Sequence, residues 1–208
     1  MEFENIQIGT LGWQHESWQG GFYPEDMPED WQLDFYANQF HCLLVPEPTW
    51  LAWTDDDLAD VLQSLPEKFA LYLQVVSEVD DSKLRQIKMI KAKLASLLAG
   101  LVVFSEFGDI ANHYAAIPVT LVSKKHELCG WNWSAENDYV CSGAVCGVLP
   151  ALSEDAKQQA ELIKSFMSSI PKDALGAPFI VCAGASAKED VNIEQVANLK
   201  TIAELLGY

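Results

Sequence analysis

The chain has 208 residues, half of them hydrophobic and 21% charged, with 13 Lys and Arg against 30 Asp and Glu and a net charge of −17. That length buries a sizeable core without disulfides or metal, so one domain over residues 1–208 is expected, and the acidic balance argues against nucleic acid or an anionic membrane as partner, because both are held by basic surfaces. No apolar run reaches the roughly 18 residues of a membrane span, and the acidic start Met1-Glu2-Phe3-Glu4-Asn5 lacks the cationic and apolar regions of a secretory signal, so a cytoplasmic protein is expected.

In chain order, the apolar run Gln7–Trp13 reads as a strand. A helix follows over Asp30–Phe40, with Trp31, Phe35 and Tyr36 as its apolar residues. Cys42–Val45 reads as the second strand, and Asp57–Leu65 as a helix behind the acidic start Asp55-Asp56-Asp57. Leu71–Val76 reads as the third strand. Ser82–Leu98 reads as a helix with Leu84, Ile87, Leu94 and Leu98 on one stripe. Its basic residues, Lys83, Arg85, Lys88, Lys91 and Lys93, spread around the other side and read as a solvated face. Further strands are expected at Leu101–Ser105, at Val119–Ser123, somewhere within Tyr139–Leu149, and at Phe179–Ala183. Between the last two, Ser153 reads as the N-cap of a helix reaching Ile170, with Pro171 as its stop. Asn192 with Gln195 resembles a capping box for a last helix ended by Gly207.

Several of the strands lack polar alternation, the pattern of strands covered on both faces. Strands alternating with helices imply a parallel α/β sheet. Gly9-Thr10-Leu11-Gly12 is not a dinucleotide-binding G-x-G-x-x-G. The expected fold class is therefore α/β, a TIM-type (β/α) barrel of parallel strands. Seven strands rather than eight, or one shortened βα unit, are expected, because Lys124–Asn137 shows no clear strand–helix pair.

The stretch from Ile8 to Pro24 resembles the opening of the domain-of-unknown-function family 72, the YecE-like proteins, whose signature is G-T-S-G-W-x-Y-x-x-W-x-G-x-F-Y-P. Nine positions agree: Gly9, Thr10, Gly12, Trp13, Trp18, Gly20, Phe22, Tyr23 and Pro24. Phe35–Phe40 and Leu65–Phe69 are similar to the motifs before that family's second and third strands, and Phe179–Gly207 to its last strand and helix. The resemblance implies a TIM-type barrel and no established reaction. It also implies polar residues at the carboxyl ends of the strands, and most of those are replaced here. Leu11 stands for Ser, His15 for Tyr, Leu43-Leu44-Val45-Pro46 for V-E-I-N, and Gln74 for Lys. Ser105-Glu106-Phe107 replaces Q-x-P, Leu121–Lys124 has no E-F-R-H, and Ala183-Gly184 stands near a missing Asn pair. Since losing one member of a charged set strands the rest, the expectation is a retained scaffold with an emptied ionic site: a divergent, shortened member.

The candidate ligand-binding residues at the barrel mouth are Thr10, Trp13, His15, Glu47, Gln74, Glu106 and Lys124. His15 stands where a general base could act, against the plainer reading of a loop histidine. Glu47 and Glu106 follow the second and fourth strands and could serve as paired carboxylates in sugar chemistry, against the reading of loop surface. Trp13, Trp18, Phe22 and Tyr23 either stack on a ligand or pin the first loop, and Trp131-Asn132-Trp133 reads as a loop. Lys124-Lys125-His126 is a small basic cluster. Gly184-Ala185-Ser186 precedes Glu189 and Asp190, which oppose an anion there. Cys42, Cys129, Cys141, Cys146 and Cys182 lack ligand spacing and read as buried free thiols, so no metal and no cofactor are expected. The leading expectation of function is a non-catalytic barrel that binds a small molecule or a protein. The alternatives are an enzyme rebuilt on His15, Glu47 or Glu106 with Gln74, acting on a sugar-like or other polar substrate, and an interaction protein with exposed Trp loops.

Overall fold

The first strand, β1 (Ile6–Leu11), pairs in parallel with β2 (Cys42–Val45) on one side and β9 (Ala177–Val181) on the other. Gly9 lies opposite Cys42, where a Cβ would fall 2.0 Å from the Cys42 carbonyl oxygen, so the approach of β1 to β2 requires glycine. Gly12, just past β1, has φ +73°, a second position suited to glycine. The two glycines account physically for the G-T-x-G spacing. The computed structural model describes residues 5–78, 80–106, 114, 117–135, 139–172, 176–184 and 190–208.

From β2 the sheet continues in parallel through β3 (Ala70–Val75), β4 (Leu98–Phe104) and β5 (Val119–Ser123). From β9 it continues in parallel to β8 (Gly147–Leu149). Beyond β5 the direction reverses: β7 (Val140–Gly143) is antiparallel to β5, and β6 (Trp131–Ser134) is antiparallel to β7. Among the described residues the result is a nine-stranded sheet in the order β6-β7-β5-β4-β3-β2-β1-β9-β8. It curls into a nearly closed barrel. The Cys141 thiol on β7 reaches within 3.6 Å of the Val148 carbonyl on β8, and the Trp133 and Phe179 rings meet at 5.6 Å. The edge strands β6 and β8 are not hydrogen-bonded to each other.

This corrects the expected seven or eight parallel strands. Tyr139–Leu149 holds two strands rather than one, and Trp131–Ser134 is a strand rather than a loop. Its four residues alternate, with both Trp side chains inward and Asn132 and Ser134 outward, which is the two-residue period of a half-buried strand. β6 lies within Lys124–Asn137, the stretch that reads as a shortened βα unit, and pairs with β7 beyond it.

The helices are α1 (Glu29–Ala37), α2 (Glu47–Ala52), α3 (Asp55–Ser64), α4 (Asp81–Leu94), α5 (Ala156–Ser169) and α6 (Ile193–Leu205). Thr54 and Asp57 form a reciprocal capping box on α3, one residue ahead of the acidic run. Asp155, not Ser153, caps α5 by accepting from the Lys157 and Gln158 amides, while the Ser153 hydroxyl accepts from the Asp155 amide. Asn192 caps α6 by accepting from the Glu194 and Gln195 amides, but the expected capping box is not completed, because Gln195 Oε1 accepts from Gln159 instead. The short α2 is absent from the sequence reading because two prolines flank Glu47. Pro46 takes the cap position and Pro48 the first turn, where a missing N–H costs nothing.

The core lies on both faces of the sheet. β2 and β9 are buried along their whole length, in keeping with their unbroken apolar sequences. Each fully buried Leu, such as Leu43, Leu44 or Leu71, contributes about 1.5–3 kcal/mol. Among the described residues, no helix is long and apolar enough to cross a membrane.

Candidate functional site

The parallel register sets Val45, the last residue of β2, beside Leu73 on β3, so β3 runs two residues further, to Val75. Glu47 opens α2 at the end of β2, and Ser77 follows β3. Lys83 stands in the first turn of α4, where its amide donates to the Asp80 cap at 2.7 Å. These segments converge. Glu47 Oε2 accepts from the Val76 amide at 2.7 Å and the Ser77 amide at 3.3 Å. Glu47 Oε1 accepts from the Ser77 hydroxyl and from Lys83 Nζ at 2.9 Å. Lys83 Nζ also donates to the Ser77 carbonyl at 3.1 Å and to the Ser77 hydroxyl oxygen.

Glu47 and Lys83 are 4% and 5% exposed, the buried charged residues among those described. Burial works to raise the Glu47 pKa. The Ser77 hydroxyl, the Lys83 ammonium and the Val76 and Ser77 amides outweigh it, and the carboxyl lies below its ordinary value. Four donors occupy its two oxygens, so the group is an anion with its acceptor sites filled. Such a carboxylate is poorly suited to deliver a proton. It ties α2, the β3–α4 connection and α4 together. Gln74 supports the same corner: its Oε1 lies 3.4 Å from the Glu47 amide, and its carbonyl accepts from Trp50 Nε1 at 2.7 Å.

Glu106, past the end of β4, accepts from the Lys124 amide at 3.3 Å through Oε1, while its buried Oε2 has no hydrogen-bond partner among the described residues. The buried Tyr114 hydroxyl likewise has none among them. Burial first, then the negative charge of Glu47, push the Tyr114 pKa up to about 12. No hydrogen bond joins Glu47 to Glu106 among the described residues, so the structure does not assemble them as an acid–base pair. The Lys124 ammonium turns away to the Tyr139 ring, 4.5 Å from its centroid. Lys125 and His126 are exposed.

The first-strand candidates are engaged within the protein. Thr10 is fully buried. Its amide donates to the Tyr36 hydroxyl at 3.0 Å, and its own hydroxyl lies between Gly12 O at 2.7 Å and Tyr36 Oη at 2.9 Å. Tyr36 in turn donates to Cys42 O at 3.0 Å. Trp13 is buried and its carbonyl accepts from Tyr23 Oη at 2.6 Å. Trp18 donates to Val191 O at 2.7 Å and stacks on Tyr36, so the motif aromatics pin the first loop. His15 places Nε2 3.0 Å from Leu11 O and Nδ1 3.6 Å from Asp190 Oδ1, and its ring packs on Trp18.

Several expectations need correction. Lys83 is not part of a solvated face: it is buried against Glu47. The mouth is therefore not emptied of ionic groups. Ser77, Lys83 and Tyr114 escape the sequence reading because each looks like surface on its own, and only the register of β2 with β3 brings the first two to Glu47. Trp131 and Trp133 are buried against Phe166 of α5, so no exposed Trp-rich loop forms there. Cys129 is exposed and Cys182 half-buried, whereas Cys42, Cys141 and Cys146 are buried as expected. Among the described residues no group of three His, Cys, Asp or Glu is placed to share a metal ion. Phe107, Ala185, Ser186 and Glu189 lie outside the described residues.

The model of a family described as "Protein of unknown function DUF72" matches residues 7–107. A DUF72 family protein from Enterococcus faecalis V583 has a similar structure, with TM-score 0.57 and 11% identity over 96% of this chain and 95% of that one. A DUF72 family protein from Thermotoga maritima MSB8 gives TM-score 0.51 and 11% identity over 96% of this chain and 99% of that one. No curated protein matches the chain. Residues 7–107 thus match the model of a family of unknown function, and the fold is similar to that of two solved proteins of that family.

Proposed function

We propose that the chain is a divergent DUF72 barrel that binds a small molecule at the carboxyl ends of its parallel strands and does not transform it. On this reading the sheet is a TIM-type barrel altered at one seam, where the antiparallel β6–β7 hairpin replaces a parallel strand, and the ligand sits where such barrels carry their sites. The observation that carries the non-catalytic half is the state of Glu47. It is the buried carboxylate at the rim among the described residues, and four internal donors hold it ionised. A general acid needs a raised pKa and a free oxygen, and Glu47 has neither. The binding half is supported by the buried oxygens of Glu106 and Tyr114, which have no partner among the described residues, since buried polar groups ordinarily have partners.

The test is incubation with a panel of polar metabolites, followed by equilibrium dialysis and mass spectrometry. The expected outcome is saturable retention of one chemical class, recovered unchanged. A product that accumulates with time, and does so no longer in Glu106→Gln, would establish the enzyme instead.

A further inference from the structure

The gap between the edge strands opens into a cavity of about 830 Å³ at the carboxyl ends of β6 and β8, beside the first turns of α5. Pockets for small molecules fall in roughly this size range. Its apolar wall includes Leu149, Leu152 and Leu162. Its polar wall carries the carboxylates of Glu154, Asp155 and Glu161, and among the described residues no Lys, Arg or His lines it.

Gln159 also lines the cavity and is 1% exposed. Its amide nitrogen donates to Ser153 O at 2.7 Å and to Gln195 Oε1 at 3.0 Å. Both partners are acceptors, which fixes which end of the amide is nitrogen. Its Oε1 is therefore an acceptor, and among the described residues it has no donor.

The site needs a ligand that donates hydrogen bonds. The N-terminus of α5 by itself would favour an anion, with about half a unit of positive charge. Asp155 already caps it, and three carboxylates, with no cation beside them among the described residues, outweigh it. We infer that this seam cavity binds an aliphatic amine, a di- or polyamine whose ammonium groups meet the carboxylates and Gln159 while its methylenes lie on the leucines. This assignment rests on the binding reading above and names its ligand class.

The test is titration of isotope-labelled protein at fixed, near-physiological ionic strength with spermidine and cadaverine, and with pentane-1,5-diol and glutarate as neutral and anionic counterparts of similar length. The amines should shift the amides of residues 134–135 and 152–162 in a saturable way, with the diol and the diacid weaker. The double variant Glu154→Gln/Glu161→Gln, changed at exposed positions, should lose about tenfold or more in amine affinity. Amine shifts spread over the acidic surface and unchanged in the double variant would overturn the assignment. Diol or diacid binding in the seam as tightly as the amines would overturn the ligand class while leaving the binding reading standing. Failure of every probe here and of the wider metabolite panel would take down both.

Discussion

Lys83 Nζ donates to Glu47 Oε1 across 2.9 Å, with the two side chains only 6% and 5% exposed. Removing water from two charges is costly, and the cost is recovered here through added donors rather than through the pair alone. Glu47 serves two amides and a hydroxyl besides the ammonium, and Lys83 serves the Ser77 carbonyl besides the carboxylate.

That asymmetry predicts an order of effects. Lys83→Met leaves the carboxylate with three donors and should destabilise the fold by about 3 kcal/mol in urea unfolding. Glu47→Leu strands the ammonium and both amides, and should cost about 5 kcal/mol. Combining the two should recover only part of the loss, because the Val76 and Ser77 amides still lack an acceptor.

The same group makes stability depend on pH. The Glu47 carboxyl lies below its ordinary value in the folded chain, so the folded state takes up this proton less readily than the unfolded state. Its contribution is complete above the unfolded glutamate value, about 4.3, and disappears as pH falls through the folded value. The stability difference between the parent chain and Glu47→Gln should be flat from about pH 7 to about pH 5.5 and should shrink below about pH 4.3. A difference that grows on acidification would mean the opposite shift.

Much of the frame is legible in the sequence because it depends on local patterns. Gly9 and Gly12 mark the close approach and the turn at β1, and the unbroken apolar runs mark strands covered on both faces. Trp131–Ser134 alternates as a strand should, yet four residues are too few to outweigh the neighbouring polar stretch. The site is less legible for a different reason. Lys83 lies among four other basic residues of the same segment, and helical spacing alone does not say that it turns inward. Its partner lies 36 positions away and is met only through the pairing of β2 with β3.

Tyr36 joins α1 to two strands by accepting from the Thr10 amide and donating to Cys42 O. Tyr36→Phe removes the acceptor of the Thr10 amide and a donor to Cys42 O, and should cost about 1–3 kcal/mol in denaturant unfolding. No measurable loss would mean that these strands do not depend on the hydroxyl.

The thiols should divide sharply in native-state labelling with a disulfide reagent near neutral pH. Cys129 is exposed and should react in a single fast phase. Cys141 and Cys146 are buried, and burial pushes Cys141 up to about 12 and Cys146 well above its ordinary value, so these two thiols stay protonated and should react only on unfolding. A fast phase from Cys141 or Cys146 would contradict the packing of the barrel interior.

The most direct check on a structural rather than acid–base role for the rim carboxylate is a carbon-detected NMR titration of the Glu47 side chain in the folded protein. The account predicts a pKa below the ordinary glutamate value of about 4.3. A value raised to about 6–7, as a general acid requires, would contradict it.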